Sequence, residues 1–374
     1  MDGVDLALIE SDGKKIINRK GFDYLPYTQD FKNRLNALIY SNPKIAEIKL
    51  VEDELTLIHA NLVNYFLTKN QINRKEIDLV AFHGHTILHI PEQQVTWQIG
   101  NPHLLAHKVG IDVVADFRTR DVVLGGQGAP LVPIYHFHLF YDHPRPTAVI
   151  NIGGISNITY FRSNDESEIE AFDICFGNAP LDDLMKKKFN LDYDEDGKLA
   201  KRGHVDFILA DRILQNEIFH KKPPKSFDRD DFSNLLAPIN SLKNPEDALA
   251  TFAYIHARAL QINLDFFGER PKEIFICGGG RKNIAMMDEM KKWLSGVVIK
   301  TVDEVGFNGD AVEAEAFAFL GIRSLLNLPI SFSNTTGIGG SSSQRMIEVS
   351  PENNSSPVLL PQRFSSCGGV FYRA

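Results

Sequence analysis

The sequence predicts an α/β fold, and three stretches carry that expectation. In residues 147–173 an apolar run, Ala148-Val149-Ile150, leads into Asn151-Ile152-Gly153-Gly154. Residues 155–161 follow, then the polar turn Ser163-Asn164-Asp165-Glu166, then a third run over 169–172 that ends on Asp173. This reads as a three-stranded meander with a diglycine at its first turn, and a helix follows almost at once. The second stretch is a strand over 273–277, then Gly278-Gly279-Gly280, then a helix over 283–294. The third is a buried-type strand over 111–115, a charged segment, and the loop Gly125-Gly126-Gln127-Gly128-Ala129-Pro130. Strand ends that face Gly-rich turns are where α/β folds hold phosphates and catalytic acids. For the meander taken alone, an ordinary hairpin in which Asp173 caps a turn is an equal alternative.

The 374 residues suffice for two or three domains. A net charge of −8 argues against a nucleic-acid surface and against an anionic membrane. Cys175, Cys277 and Cys367 are too far apart for a disulfide framework or a zinc spacing, which suits a reducing cytosol. Neither a signal peptide nor a spanning segment is read, so the expected location is cytoplasmic.

Along the chain, residues 4–10 read as a strand, with 14–19 pairing back after Ser11-Asp12-Gly13. Val51, Leu55, Ile58, Leu62 and Tyr65 lie at helical spacing, which predicts an amphipathic helix over 45–68. Residues 77–82 form a strand that runs into the polar loop His83-Gly84-His85-Thr86. His83 and His85 alone are too few for a metal site. Trp97 to Pro102 is read as a loop, followed by a short helix over 103–109 with Gly110 as its C′ residue. Arg118, Arg120 and their aspartates are either a surface ion-pair set or forks for a carboxylate or phosphate. Asn178 reads as an N-cap, and Lys221-Lys222-Pro223-Pro224-Lys225-Ser226 as a stiff basic loop, solvated or near a phosphate. A long helix covers 247–267. Asp310 and Glu313 read as a capping box that opens a last helix over 311–326. From Ser331 onward, serine, asparagine and glycine predict a poorly ordered tail.

In this order and spacing, the segments resemble the bacterial anhydro-N-acetylmuramic acid kinases over residues 1 to about 337. The matching motifs are Asp2-Gly3-Val4-Asp5, His83-Gly84-His85-Thr86, Gln98-Ile99-Gly100-Asn101-Pro102, residues 115–121, residues 125–133, Asn151-Ile152-Gly153-Gly154-Ile155-Ser156-Asn157, Phe172-Asp173, Pro223-Pro224-Lys225-Ser226, Gly278-Gly279-Gly280 and residues 313–318. The resemblance implies a two-lobed actin-like ATPase (ribonuclease H-like) fold with ATP in the interlobe cleft. The lobes are expected at 1–140 and 141–330, with the last helix packing back towards the first lobe and a tail at 331–374. It also implies a reaction in which ATP, water and 1,6-anhydro-N-acetylmuramic acid give ADP and N-acetylmuramic acid 6-phosphate, as in peptidoglycan recycling. Asp173 and Glu313 match the family's catalytic residues, with Asp173 as the base. Asp2, Gly3, Asp5, Gly153, Gly154, Gly278, Gly279 and Gly280 are assigned to ATP and its phosphates, and His83, Thr86, Arg120, Gly126 and Gln127 to the sugar. Mg²⁺ is expected with ATP, held by no dedicated protein metal site. No nucleic-acid or membrane partner is implied, and a homodimer is open.

The chain departs from the family pattern in three places. The family's phosphate loop reads Met-Ser-Gly-Thr-Ser-x-Asp-Gly, and this sequence starts at its x position, so the chain as written is expected to bind ATP weakly and turn over slowly. After Asp173 it reads Ile174-Cys175-Phe176-Gly177-Asn178, where many members have Thr-Gly-Pro-Gly-Asn. The segment after Gly337 matches nothing in the family pattern. Two alternatives to this reading are another sugar kinase of the superfamily and a non-catalytic binding homologue.

Overall fold

The computed structural model describes residues 3–339 and 369–373. Twelve strands lie among these residues: β1 (Gly3–Ser11), β2 (Ile16–Pro26), β3 (Val80–Phe82), β4 (His85–Ile90), β5 (Val95–Ile99), β6 (Val113–Ala115), β7 (Thr147–Ile152), β8 (Ile155–Phe161), β9 (Ile169–Phe176), β10 (Glu273–Cys277), β11 (Val298–Thr301) and β12 (Val370–Tyr372). The chain divides into two units, Met1–Leu139 with Glu313–Ala374, and Phe140–Val312.

In the first unit, β1 and β2 form an antiparallel ribbon, and β12, β6 and β3 form a second sheet in that order. β3 runs parallel to β6, and β12 antiparallel to it. The helix Ile45–Lys69 carries the expected apolar stripe: Val51, Leu55 and Leu62 are buried, while Tyr65 is exposed. A third pairing, the β4–β5 hairpin, replaces the loops expected at His83–Thr86 and Trp97–Pro102, so His85 and Thr86 are strand residues. Its tight turn contains no glycine; Gln94 takes the left-handed conformation there, at φ 57°. Of the strand expected over 77–82, only Val80–Phe82 pairs, because Arg74–Glu76 forms a 3₁₀ turn just before it.

In the second unit one five-stranded sheet has the order β11-β10-β7-β8-β9. β7, β8 and β9 form the expected meander, and β10 lies parallel to both β7 and β11. The helix Pro245–Leu264 packs along the sheet and buries, among others, Leu249, Phe252, Ile255, Leu260 and Leu264 in the unit's core. Asn283 caps the helix Ile284–Trp293, its side chain accepting from the Met286 N–H at 3.1 Å.

Three further expectations change. β9 does not end on Asp173 but continues to Phe176. The last helix spans Val312–Leu325 without the capping box. The Asp310 carboxylate is instead taken by Lys282 at 2.8 Å and Arg281 at 3.0 Å. The segment from Ser331 is not loose at its start: Ser331, Thr335, Thr336 and Ile338 are buried, and β12 pairs with β6. The rest of the expected tail, residues 340–368, lies outside the described residues.

Candidate active-site residues

In the second unit, β9 and β7 both pair antiparallel with β8, and β10 is parallel to β7. The C-terminal ends of β7, β9 and β10 therefore share one edge of the sheet. Three Gly-containing turns meet there. The Gly177 N–H donates to the Gly154 carbonyl at 2.8 Å, and the Asn178 N–H to the Gly153 carbonyl at 2.7 Å. Asn178 does occupy the N-cap position, but its side chain makes no cap. Its amide turns back to the Ile152 carbonyl at 3.4 Å and lies against Gly279 and Gly280.

The glycines here have different causes. A Cβ on Gly278 would lie 2.4 Å from Asn151 Oδ1, at a φ of +76° that L side chains rarely adopt, and one on Gly280 would lie 2.2 Å from the Ile152 side chain. Packing of the β7 and β10 turns thus accounts for both. Gly153 and Gly154 have ordinary space around the Cβ position, so their bareness leaves backbone open, whereas a Cβ on Gly279 would press on Asn178 Nδ2 at 3.3 Å. Gly177, which the sequence does not single out, is as tight as Gly280, but against backbone: a Cβ would lie 2.2 Å from the Gly153 carbonyl oxygen. Gly177→Ala should cost about 1–3 kcal/mol, because backbone rather than a flexible side chain must move. A denaturant midpoint equal to that of the parent protein would refute this.

Asp173 lies three residues before the end of β9. The register shifts here, with Asn157 opposite Asp173 and Ser156 opposite Cys175, leaving Ile174 as an extra residue. Such a bulge re-aims the neighbouring side chains. Asp173 Oδ2 accepts from the Phe227 N–H at 2.9 Å and from Ser226 Oγ at 3.3 Å. Its own N–H donates to the Lys225 carbonyl at 3.2 Å. Burial pushes the carboxyl up to about 6, while those two donors and the Lys225 charge pull it partly back. The basic loop is therefore only partly solvated. Lys221 and Lys222 are exposed, but Lys225 turns inward.

In the first unit one cavity of about 1010 Å³ collects several predicted residues: Gly3, Asp5, His83 and Glu313. It runs along the backbone of β1 and β3. Among the described residues β1 pairs only with β2, and β3 only with β6. Asp2 lies outside the described residues. The two ring nitrogens of His83 are both engaged: Nε2 accepts from Arg118 Nε at 2.9 Å, which leaves Nδ1 to donate to the Gly84 carbonyl at 3.0 Å. Burial, then the Arg118 charge, lowers this imidazole to about 3, so it is neutral. Arg118 also donates to the Gly128 carbonyl at 2.6 Å and faces the charges of Glu313 and Asp121. Arg120, the arginine chosen from the sequence, is exposed on the short helix Thr119–Val123. Thr86 Oγ1 accepts from Gln98 at 3.2 Å.

The loop over 125–130 is wrapped around Asp121. Oδ1 accepts from the Gly128 N–H at 2.7 Å, and Oδ2 from Ser331 at 2.5 Å and Thr336 at 2.7 Å. A Cβ on Gly126 would lie 2.1 Å from Oδ1. The Gln127 N–H donates to the Thr336 carbonyl at 2.7 Å. The signal for Asp121 was present in the charged segment, but its two hydroxyl partners lie 210 and 215 residues on, in the stretch read as tail.

Among the described residues no three His, Cys, Asp or Glu side chains are placed to hold a metal, and no helix is long and apolar enough to cross a membrane.

Residues 1–347 match the family model for anhydro-N-acetylmuramic acid kinase. A protein of that name from Zymomonas mobilis is 42% identical over 349 residues, which cover 90% of this chain and 94% of that protein. Its namesakes from Rhizobium etli and Paramagnetospirillum magneticum are 39% and 40% identical, each over 90% of this chain and 93% of theirs. Among solved structures, component A of (R)-2-hydroxyglutaryl-CoA dehydratase from Acidaminococcus fermentans is similar at 12% identity and a TM-score of 0.46, over 87% of this chain and 95% of that one. On the family model and these sequence relatives, the chain belongs to the anhydro-N-acetylmuramic acid kinase family.

Proposed function

We propose that the protein is an ATP-dependent kinase that opens 1,6-anhydro-N-acetylmuramic acid with water and phosphorylates O6. The observation that carries this reading is Asp173, a carboxylate raised to about 6 beside a cluster of strand-end turns, in a chain of this family. A general base works best with a pKa near the operating pH and within hydrogen-bond reach of its proton. Two donors hold Oδ2 of Asp173, which leaves Oδ1 to take a proton from water as that water attacks C1. The C1–O6 bond breaks, and O6 then attacks the γ-phosphorus as ADP leaves. In the second unit, the open backbone at Gly153 and Gly154 supplies phosphate-facing surface. In the first unit, Gly3 and Asp5 line the cavity and are the residues assigned to phosphate there.

Mg²⁺ arriving with ATP would neutralise charge on the phosphates. Such an ion needs only one or two protein carboxylates besides the phosphates. Asp5 and Glu313, which both line that cavity, fit this requirement. The same reading makes the enzyme cytoplasmic, with a homodimer as the candidate assembly.

The test is a turnover assay with anhydro-muramic acid, ATP and Mg²⁺, with the product mass read for one phosphate and one water. Turnover on hexoses but not on the anhydro sugar would point to another sugar kinase. For the sugar side, Arg120→Ala should raise the sugar KM several-fold and leave ATP binding unchanged, since a guanidinium fork fits the lactyl carboxylate. An unchanged sugar KM would return Arg120 to the surface ion pairs.

A further inference from the structure

We infer that Lys225 is a positioning residue for the Asp173 carboxylate, fixing it through a buried ammonium anchored to the helix behind the sheet. This rests on the reading of Asp173 as the base.

Lysine is among the residues least often buried without a partner. Lys225 is 7% exposed. Its Nζ donates to Asn263 Oδ1 at 2.5 Å, and the Asn263 amide donates in turn to the Ala259 carbonyl at 2.7 Å. That second bond fixes which end of the amide faces the lysine. Three phenyl rings surround the ammonium, with centroids at 5.2 Å (Phe266), 5.5 Å (Phe227) and 5.6 Å (Phe172). Each distance is within the range of cation–π attraction. The ammonium is thus held by one carbonyl oxygen and three ring faces, and among the described residues no carboxylate forms an ion pair with it.

This anchor reaches Asp173 through only a few bonds. The Lys225 carbonyl accepts from the Asp173 N–H, and the next two residues, Ser226 and Phe227, supply both donors to Oδ2. Seating the ammonium therefore seats the loop that grips the carboxylate. The charge acts in the same direction, favouring ionised Asp173. Other groups also face the pair. Asp228 opposes ionisation of Asp173, Lys221 opposes the charge on Lys225, and the Cys175 thiol is pushed up by burial and stays neutral. Burial lowers Lys225 itself to about 8, so it carries its charge through the range in which Asp173 titrates.

The experiment compares Lys225→Met with the parent chain. Methionine keeps the unbranched stem among the rings and removes the charge and the bond to Asn263. The ionisation of Asp173 is read from its side-chain carboxyl carbon by NMR, and the acid limb of kcat/KM is read in parallel. Losing the charge and loosening both donors act with one sign, so the Asp173 pKa should rise by about 1 unit. The acid limb should rise with it, while ATP affinity changes less than threefold. If Lys225→Met does not fold, Asn263→Ser is used; its hydroxyl falls short of the ammonium, and a smaller shift of the same sign is expected. An Asp173 carboxyl that titrates unchanged in the folded variant overturns the inference. A shifted carboxyl with an unmoved acid limb shows that Lys225 positions Asp173 but that Asp173 is not the base, which separates failure of the earlier reading from failure of this one.

Discussion

Asp173→Asn should lower turnover about 10²–10⁴-fold, the usual loss when a positioned general base is removed. Asparagine keeps the shape and can still accept from Phe227 and Ser226 through its carbonyl oxygen, but it cannot take a proton from water. Both ring opening and phosphoryl transfer should stop together, since O6 is tied up while the bridge is closed. ATP binding should persist, because the turns at Gly153, Gly154 and Gly279 do not depend on this carboxylate. Near-normal turnover with intact folding would return Asp173 to a structural role in its turn.

The same variant has a stability signature whose sign follows from the raised pKa. The folded carboxyl titrates at about 6, against an ordinary value of 3.8. Below pH ~4 both states are protonated and the shift costs nothing. Between pH ~4 and ~6 the unfolded carboxyl ionises more readily, and the folded state loses ground. Above pH ~6 the cost is fully present, on the order of 1–3 kcal/mol. Asp173→Asn should therefore leave Tm unchanged near pH 3 and raise it at pH 8. Such stability lost to an ionisable site is a common feature of catalytic positions. A Tm at pH 8 equal to or below the parent's would show that burial of the charge is not costly here.

The parts of this fold legible in the sequence are those whose signals are local. In Glu273–Cys277 the run from Ile274 is continuous and apolar and is stopped by glycine, and the strand's limits match the expectation residue for residue. The helix Ile45–Lys69 was visible because its stripe repeats over several turns. The β4–β5 hairpin was not, because Gln94 makes the left-handed turn that glycine or asparagine normally signals. Among the candidate site residues, the diglycine at 153 and Asp173 carry local signals, a glycine pair after one apolar run and a carboxylate closing another, although β9 continues three residues past Asp173. Lys225 was hidden because its burial depends on Phe172, Phe266 and Asn263, all distant in sequence. Arg118 and Arg120 look alike in the sequence; only the course of the short helix decides that the first turns in to His83 and Gly128.

Asp121→Ala should be the most destabilising single change in the first unit. Asp121 is completely buried and accepts from one backbone N–H and two hydroxyls. Removing the acceptor strands donors that no longer have water within reach, and each buried unsatisfied group costs about 1–3 kcal/mol. The loss is not simply additive, because Thr336 can turn towards the Phe332 carbonyl, already 3.5 Å away. A total of about 3–5 kcal/mol is expected, a large share of the ~5–15 kcal/mol that holds a domain folded. Asp121→Asn should cost less, about 1–2 kcal/mol: its carbonyl oxygen can keep the Gly128 N–H, and both hydroxyls can rotate to accept from the new amide. The damage should also be local before it is global. Gly126 and Gly128 are shaped around this carboxylate, so the loop over 125–130 and the segment over 331–336 should lose hydrogen-exchange protection together, the Gly128 amide first. Because that loop is the proposed sugar-side surface, the sugar KM should rise in the Asn variant while the protein is still folded. An Asp121→Ala protein within 0.5 kcal/mol of its parent would mean that the two segments hold each other without the carboxylate.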